Sequence, residues 1–529
     1  MVNRRRWAAG ALSVLLAVML VVTGCSSNSG GGNNPAPQQP ADTANNETAN
    51  NEPAAAEPEP ADPEPFAIKM AVNFDGKDVP QAGNPVQQAI ESYTHTQLEI
   101  DHFPGNSYQD KLSVMIASGD LPQVIASYGA PKQSYLLSAF QNDVFWDISP
   151  FIKDFPNLSS LNQAIYDNVA FQGKVFGLPR ERPLARDAFI YRVDWLKNVG
   201  LQEPQTVEEF HQLLKAFKDQ DPDKNGKNDT YGMTMGALGG SGPAPSTFGV
   251  FFGAPNVWDV QEGKFTRDVF TPEYLEGLKF QKQLFDEGLI HPDFAIMDRP
   301  KVEGEFENSK AGVIANSTNV ALSYEARIQQ HIPDATVDFF SILSTDKGKR
   351  IAAALGSNGI LMFPKSSVKT EDDLKKILKF FDQLADQEMA DLLEWGIEGT
   401  HYTMKDGKPE IIDQEKFDNE VGFPYKWPLR AVSLDAIKMQ GNVNPLVTKE
   451  LQVTTENQNH LVNNPANPFI SQTQVERGAE LELIITDANT KFIMGVMDEA
   501  KWKSEMDRWL SSGGDQIAKE YEEQWAAAQ

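Results

Sequence analysis

Apolar and polar positions recur with two periods along this chain, and the alternation between them sets out its elements. Phe66–Phe74 (FAIKMAVNF) is a short apolar run that reads as a strand. Asn84–His95 (NPVQQAIESYTH) has helical spacing, and Leu98–Phe103 (LEIDHF) alternates as a strand does. Ser107–Pro122 places Leu112, Met115 and Ile116 on one helical face before Gly119 and Pro122 end it, and Gln123–Tyr128 (QVIASY) is a third strand. Strands alternating with helices predict an α/β fold, a mostly parallel sheet with helices on its faces. In such sheets ligands collect at loops leaving the carboxyl ends of strands. Asn73 and Asp75 after the first strand, and Tyr128 after the third, are therefore candidate ligand-binding residues. Turn chemistry accounts equally for Asn73 and Asp75, and rim packing for Tyr128.

The stretch Gly173–Leu201 is punctuated by Gly and Pro, and a change of domain is expected near Arg180–Asp187. The next helix opens on a capping box, Thr206 with Glu209, and presents Phe210, Leu213, Leu214 and Phe217 on one face. Further on, 271–290 reads as a helix, 310–316 as a strand ending at Asn316, and 350–363 as two short strands. Residues 371–393 read as one long amphipathic helix, and two helices that meet at Gly513-Gly514 end the chain.

The N-terminus changes the picture from fold to compartment. Arg4, Arg5 and Arg6 precede an apolar run from Ala8 to Val22, the pattern of a signal peptide over 1–24. No second stretch is long enough to span a bilayer. Val22–Cys25 (VTGC) resembles the lipobox of bacterial lipoproteins, which makes Cys25, the one cysteine of the chain, a lipidation site. Residues 26–65 are rich in Ser, Gly, Asn, Pro, Ala and acids, so 25–65 reads as a lipid anchor followed by a disordered tether. A net charge of −27 argues against nucleic acid as a partner.

Candidate chemistry begins with Asp221–Gly232 (DPDKNGKNDTYG). Oxygen ligands at every second position, with Gly at the sixth, are the spacing of a twelve-residue calcium loop. The ligands are Asp221, Asp223, Asn225, the Lys227 carbonyl and Asp229, while Gly232 stands where a bidentate Glu belongs. A solvated polar turn is the alternative. The missing acid argues for a structural calcium over a tuned sensor. The seven histidines are scattered, and no P-loop, GxSxG elbow or HExxH pair is present. Several tryptophans sit beside Gly or Pro. Trp146 and Trp195 suit cores; Trp258 and Trp395 suit either a core or a sugar-stacking platform.

Together, YQDKLSVMIASGDLPQVI, GKVFGLP, YRVDWLKNVGL, DPDKNGKNDTYG, FQKQLFDEGLIHPDF and EWGIEGTHY look like the recurrent blocks of one family. The chain resembles the lipoprotein solute-binding components (family 1) of bacterial ABC-type sugar importers, in their large oligosaccharide-binding branch, from about Phe66 almost to the C-terminus. The resemblance implies a two-lobed periplasmic-binding-protein-like fold of type II, with an oligosaccharide in the cleft and closure signalled to a permease. It also implies calcium in the Asp221–Asp229 loop, a monomer, and a lipid-anchored site on the outer face of the cell membrane. The lobes are expected at 66–185 with 350–400, and at 186–349 with 401–529. It raises Trp258 and Trp395 as cleft platforms, from opposite lobes. Arg182 in the crossing segment, and Arg192, can donate paired bonds to hydroxyls or a uronate carboxylate, and Arg192 also suits an interlobe salt bridge. No enzymatic activity is expected, the alternatives being a surface polysaccharide-degrading enzyme or an adhesion lipoprotein.

The lipid reading is directly testable. Diacylglycerol on Cys25 supplies the two acyl chains that stable anchoring needs. Cys25→Ala is therefore expected to move the protein from the membrane fraction to the soluble one, and retention on the membrane would refute the lipobox.

Overall fold

The computed structural model describes residues 64–129, 132–240 and 242–528. The signal peptide, Cys25 and nearly all of the tether lie outside the described residues, and the compact unit begins at Glu64.

Two sheets organise this unit. In the first, β1 (Phe66–Phe74) pairs in parallel with β2 (Thr96–Pro104) and with β3 (Val124–Ala126). The strand Ser357–Met362 then runs antiparallel to both β3 and β4 (Leu178–Glu181). The order is β2-β1-β3-(357–362)-β4. In the second sheet, β5 (Asp187–Arg192) lies antiparallel between Val337–Phe340 and Ala311–Ser317, and the latter pairs in parallel with Tyr231–Thr234. The sheets are mixed, which corrects the expectation of mostly parallel sheets. The reason is topological: β4 carries the chain out of the first sheet and Ser357–Met362 carries it back through the same side, so the two run in opposite directions.

Local sequence explains most element ends. Asn84 caps the first helix by accepting from the amides of Val86 and Gln87, and Gly119 ends the second in a left-handed conformation. Thr206 Oγ1 accepts from the Glu209 amide, and Phe210, Leu213, Leu214 and Phe217 are buried. Residues 371–393 form two helices, Glu371–Gln383 and Gln387–Trp395, where one was expected. The break falls at Asp386, whose carboxylate accepts from the Tyr93 hydroxyl and the Asn157 amide, while Asp382 accepts from the backbone of Asn157 and Leu158. These are tertiary bonds that a helical pattern does not encode.

β5 shows how the second sheet is covered. Phe189 and Tyr191 enter one core with Phe210, Phe248 and Phe340, and Ala188 and Ile190 enter another with Phe306, Tyr324 and Phe339. The first sheet has its own core, which includes Phe417, Val421, Tyr425, Leu429 and Leu434. The stretch 401–434, expected in the second lobe, thus packs into the first.

The chain passes between these cores near 182–187, 352–357 and 435–445. At the first two passages the Ala354 amide donates to the Leu184 carbonyl (2.7 Å) and the Arg182 amide to the Gly356 carbonyl (2.9 Å). Carbonyls left over are met by side-chain amides. Asn256 donates to Ala353 and Val462, Asn168 to Leu355, and Asn457 to Ala185. Beside the second passage, Gly359 has φ +92, and a Cβ there would stand 2.2 Å from the Ser127 carbonyl oxygen. Only glycine permits that approach, which sets the end of β3 against the returning strand.

Candidate functional site

A cavity of about 240 Å³ opens where the strand ends of both sheets face each other. Asn73 and Asp75 reach it from the end of β1, Tyr128 from beyond β3, and Arg180 and Arg182 from β4 and the first crossing. Asn319, just past the end of strand Ala311–Ser317, is the second sheet's contribution. Phe423 and Trp427 complete the lining from an irregular segment.

That segment, Asp418–Lys426, is a wide π-type helix with Pro424 inside it. Proline cannot donate to a helical ladder, so outside contacts hold the segment. His102 Nε2 contacts the Pro424 carbonyl (3.3 Å), the Asn84 amide meets the Tyr425 hydroxyl, and buried His401 meets Glu420 (3.1 Å). His401 Nδ1 accepts from the Ile397 amide, so its Nε2 carries the proton that Glu420 receives.

Arg180 ties the site together. It is 1 % exposed; Nη1 donates to Asn73 Oδ1 (3.3 Å) and to the Ser127 carbonyl (3.0 Å), and Nη2 donates to the Trp427 carbonyl (2.9 Å). One guanidinium thus fixes β1, β3 and the Trp427 segment, and it lies 5.6 Å from the Tyr128 ring centre. Its Nε has no partner among the described residues. Burial brings its pKa down to about 10. Arg182 is brought down to about 9, by burial first and then by Arg430, Arg180 and Arg186.

Cations also surround the Trp427 ring: Lys426 Nζ at 4.5 Å, Arg430 at 5.4 Å and Arg182 at 5.9 Å from its centre. Lys426 and Lys438 both donate to Glu394 Oε2 at 2.9 Å. Burial opposes the Glu394 charge, but the two ammonium groups outweigh it and hold the carboxyl below its ordinary range.

The structure therefore brings together Asn73, Asp75, Tyr128 and Arg182, but neither tryptophan expected as a platform. Trp258 is 4 % exposed and packs with Trp509, Tyr521 and Phe265 beneath Arg267. Trp395 is 5 % exposed; its Nε1 donates to the Met439 carbonyl (3.1 Å) and Gly441 lies against its ring. Both are covered by segments distant in sequence, which loop context did not reveal. Trp427, 36 % exposed, stands in the cavity instead, together with Arg180, Asn319 and Phe423. Its one sequence signal is an aromatic set between Lys426 and Pro428. Arg192, expected at the cleft or between lobes, is buried and bonded to Asp194 and Ser309 of its own lobe.

In the loop, Asp221 accepts from the amides of Asn225 and Gly226 (3.0 Å each), and Gly226 has φ +78. Asn225 Nδ2 lies 2.7 Å from Asp223 Oδ2 and 3.1 Å from Asp229 Oδ1, and Lys310 pairs with Asp229 (3.0 Å). Burial, with Asp221 beside it, raises the Asp223 pKa. A Cβ on Gly232 would stand 2.6 Å from the Leu214 carbonyl oxygen, so the twelfth position has no room for a side-chain ligand. Among the described residues no group of three acids, histidines or cysteines is disposed to hold a metal ion.

Residues 76–390 match the model of the bacterial extracellular solute-binding proteins. The chain belongs to this family. It is 36 % identical over 463 residues to "Lipoprotein LipO" of Bacillus subtilis, covering 86 % of this chain and 91 % of that protein. It is 35 % identical over 450 residues to the "Polygalacturonan/rhamnogalacturonan-binding protein YtcQ" of the same organism, covering 83 % and 87 %. Among solved structures, an HMO-binding, ABC-transporter-associated solute-binding protein of Bifidobacterium longum infantis superposes with TM-score 0.67 at 16 % identity, over 88 % of this chain and 99 % of that one. The two-lobed fold of the family is the fold of this chain.

The placements of the tryptophans separate in a melting experiment. Trp395→Ala removes a buried indole and is expected to cost about 3–5 kcal/mol of stability. Trp427→Ala, at the cavity surface, is expected to melt much closer to the parent. Equal melting of the two variants would contradict the assigned burial.

Proposed function

We propose that this family member captures an oligosaccharide between its lobes and delivers it to the permease of an ABC importer while Cys25 lipid holds it at the outer face of the cell membrane. The observation that supports this reading most is the make-up of the cavity. Its lining combines an accessible indole, a phenol, two asparagine amides and guanidinium groups, the mixture of flat apolar faces and fixed polar groups that sugar rings require. Asn319 comes from the opposite lobe to Trp427 and Arg182, so a ligand touching both favours the closed arrangement over the open one. The sugar-binding name of YtcQ supports the same class of ligand. A glycosidase reading is less well supported, since that chemistry uses two carboxylates and the lining offers one, Asp75.

Calorimetric titration against a panel of oligosaccharides is expected to return one-to-one binding. Trp427→Ala should weaken it by about 1–3 kcal/mol, the scale of burying a large apolar side chain. Binding indifferent to both Trp427→Ala and Asn319→Ala would place the site elsewhere.

Calcium in the Asp221–Asp229 loop belongs to the same proposal. The Asn225 amide nitrogen stands between carboxylate oxygens of Asp223 and Asp229, the place a cation would take. Turning the amide over aims its oxygen there too; Asp221, Asp223 and Asp229 are not yet gathered as a ligand group in this structure, so the loop would have to draw them, with Asn225 and the Lys227 carbonyl, around the ion. Its role there is to neutralise clustered acids and fasten the loop. Asp223→Ala is expected to abolish the rise in melting temperature on adding calcium while leaving sugar affinity nearly intact. A parent protein whose melting ignores calcium would refute the site.

A further inference from the structure

The described arginines differ in what they face, and Arg350, away from this cavity, donates only to the carbonyls of Val250 and Ala254. Arg192, Arg267, Arg299, Arg327, Arg477 and Arg508 each face a carboxylate within ion-pairing distance. Around the cavity the pattern changes. Arg180 donates only to neutral oxygens, those of Asn73, Ser127 and Trp427. Arg182 donates from Nη1 to the Glu181 carbonyl (2.8 Å), its one side-chain hydrogen bond among the described residues. Arg186, which lines a second cavity with residues of the second sheet, takes part in no ion pair among the described residues. Arg430 comes no nearer than 4.0 Å to Glu394, and its Nε is without a partner.

The chain has 74 acids and 47 bases, so acids to pair with these arginines are plentiful. A guanidinium withdrawn from water and left without a counter-charge is costly, and that cost is relieved when an anion arrives. Glu181 acts on Arg182 and Arg430 through space, and Asp187 and Glu450 act on Arg186, but among the described residues no acid comes within ion-pairing distance of Arg182 or Arg186. Asp75 accepts from Asn73 (3.2 Å), Glu181 accepts from the Ser433 amide, and Glu394 is occupied by two lysines. The guanidinium is planar and matches a carboxylate with two parallel bonds.

We propose that the ligand is an acidic oligosaccharide, and that a uronate carboxylate is received by Arg182 beside an accessible Trp427 face for the sugar ring, with Arg186 and Arg430 adding positive potential. This deepens the oligosaccharide reading and rests on it. Arg180, whose Nη1 and Nη2 groups are taken by the Asn73 side chain and the Ser127 and Trp427 carbonyls, is a positioning residue: it sets the Trp427 carbonyl and the Asn73 amide around the place the carboxylate occupies.

The test compares oligomers of galacturonate, glucuronate and mannuronate with their methyl esters, which keep each backbone and remove its charge, and with neutral and sulfated oligosaccharides. At least one acid series is expected to bind about 10- to 100-fold more tightly than its ester, the worth of hydrogen bonds to a charged group. That advantage should shrink with added salt, and Arg182→Gln should abolish it without lowering the melting temperature. If Arg182→Gln fails to fold, Arg186→Gln and the salt series on the parent protein carry the test. Equal binding of acid and ester, or tighter binding of a neutral or sulfated oligosaccharide, overturns the uronate inference and leaves oligosaccharide capture standing. Failure of every oligosaccharide to bind overturns both.

Discussion

A chain that serves two sheets must cross between them, and every crossing takes backbone groups out of their ladders. Buried backbone polar groups need partners, so the crossings constrain everything around them. Two crossing segments bond to each other, Ala354 to Leu184 and Arg182 to Gly356. Asn168, Asn256 and Asn457 meet carbonyls that remain. Because several cavity-lining groups stand on or beside these segments, the joint between the lobes and the cavity are one construction. Arg182 is hydrogen-bonded through its backbone at the joint while its side chain lines the cavity.

Charge is the second organising feature. Lys426 stays buried beside Trp427 because Glu394 accepts from it, and Lys438 shares that carboxylate. The indole is thereby held by a cation that is itself neutralised, while Arg182 on the cavity side has no acid in direct contact among the described residues. An acidic protein thus places two guanidinium groups and one carboxylate in the cavity lining, a contrast that net charge by itself conceals.

The elements were largely legible where one face of a short segment is buried. β1 spans the expected Phe66–Phe74, and the Thr206 cap and its helix's four-residue apolar face recur in the structure, although Glu209 bonds back to the Gln205 amide and not to that of Thr206. Elsewhere local pattern was overruled. The helix expected over 371–393 breaks at Asp386 because Tyr93 and Asn157, more than two hundred residues away, claim that carboxylate. The sheets are mixed because β4 and Ser357–Met362 leave and re-enter side by side, and 401–434 belongs with the first core because its apolar residues are buried there.

The site divides along the same line. Asn73, Asp75 and Tyr128 were readable as strand-end positions because periodicity marks where each strand stops, and in α/β sheets such ends face the crevice. Trp258, Trp395 and Trp427 were not separable, since all three stand near Gly or Pro. Burial of the first two depends on Trp509 and Tyr521 in the terminal helices and on Gly441, none adjacent in sequence. Periodicity, capping and motif spacing are properties of neighbouring residues, so the sequence by itself determined the α/β elements, the family blocks and the strand-end candidates. Which face of a tryptophan meets solvent, and which arginine lacks an acid, are properties of segments hundreds of residues apart. Only the tertiary structure decided them, because burial and ion pairing act through space.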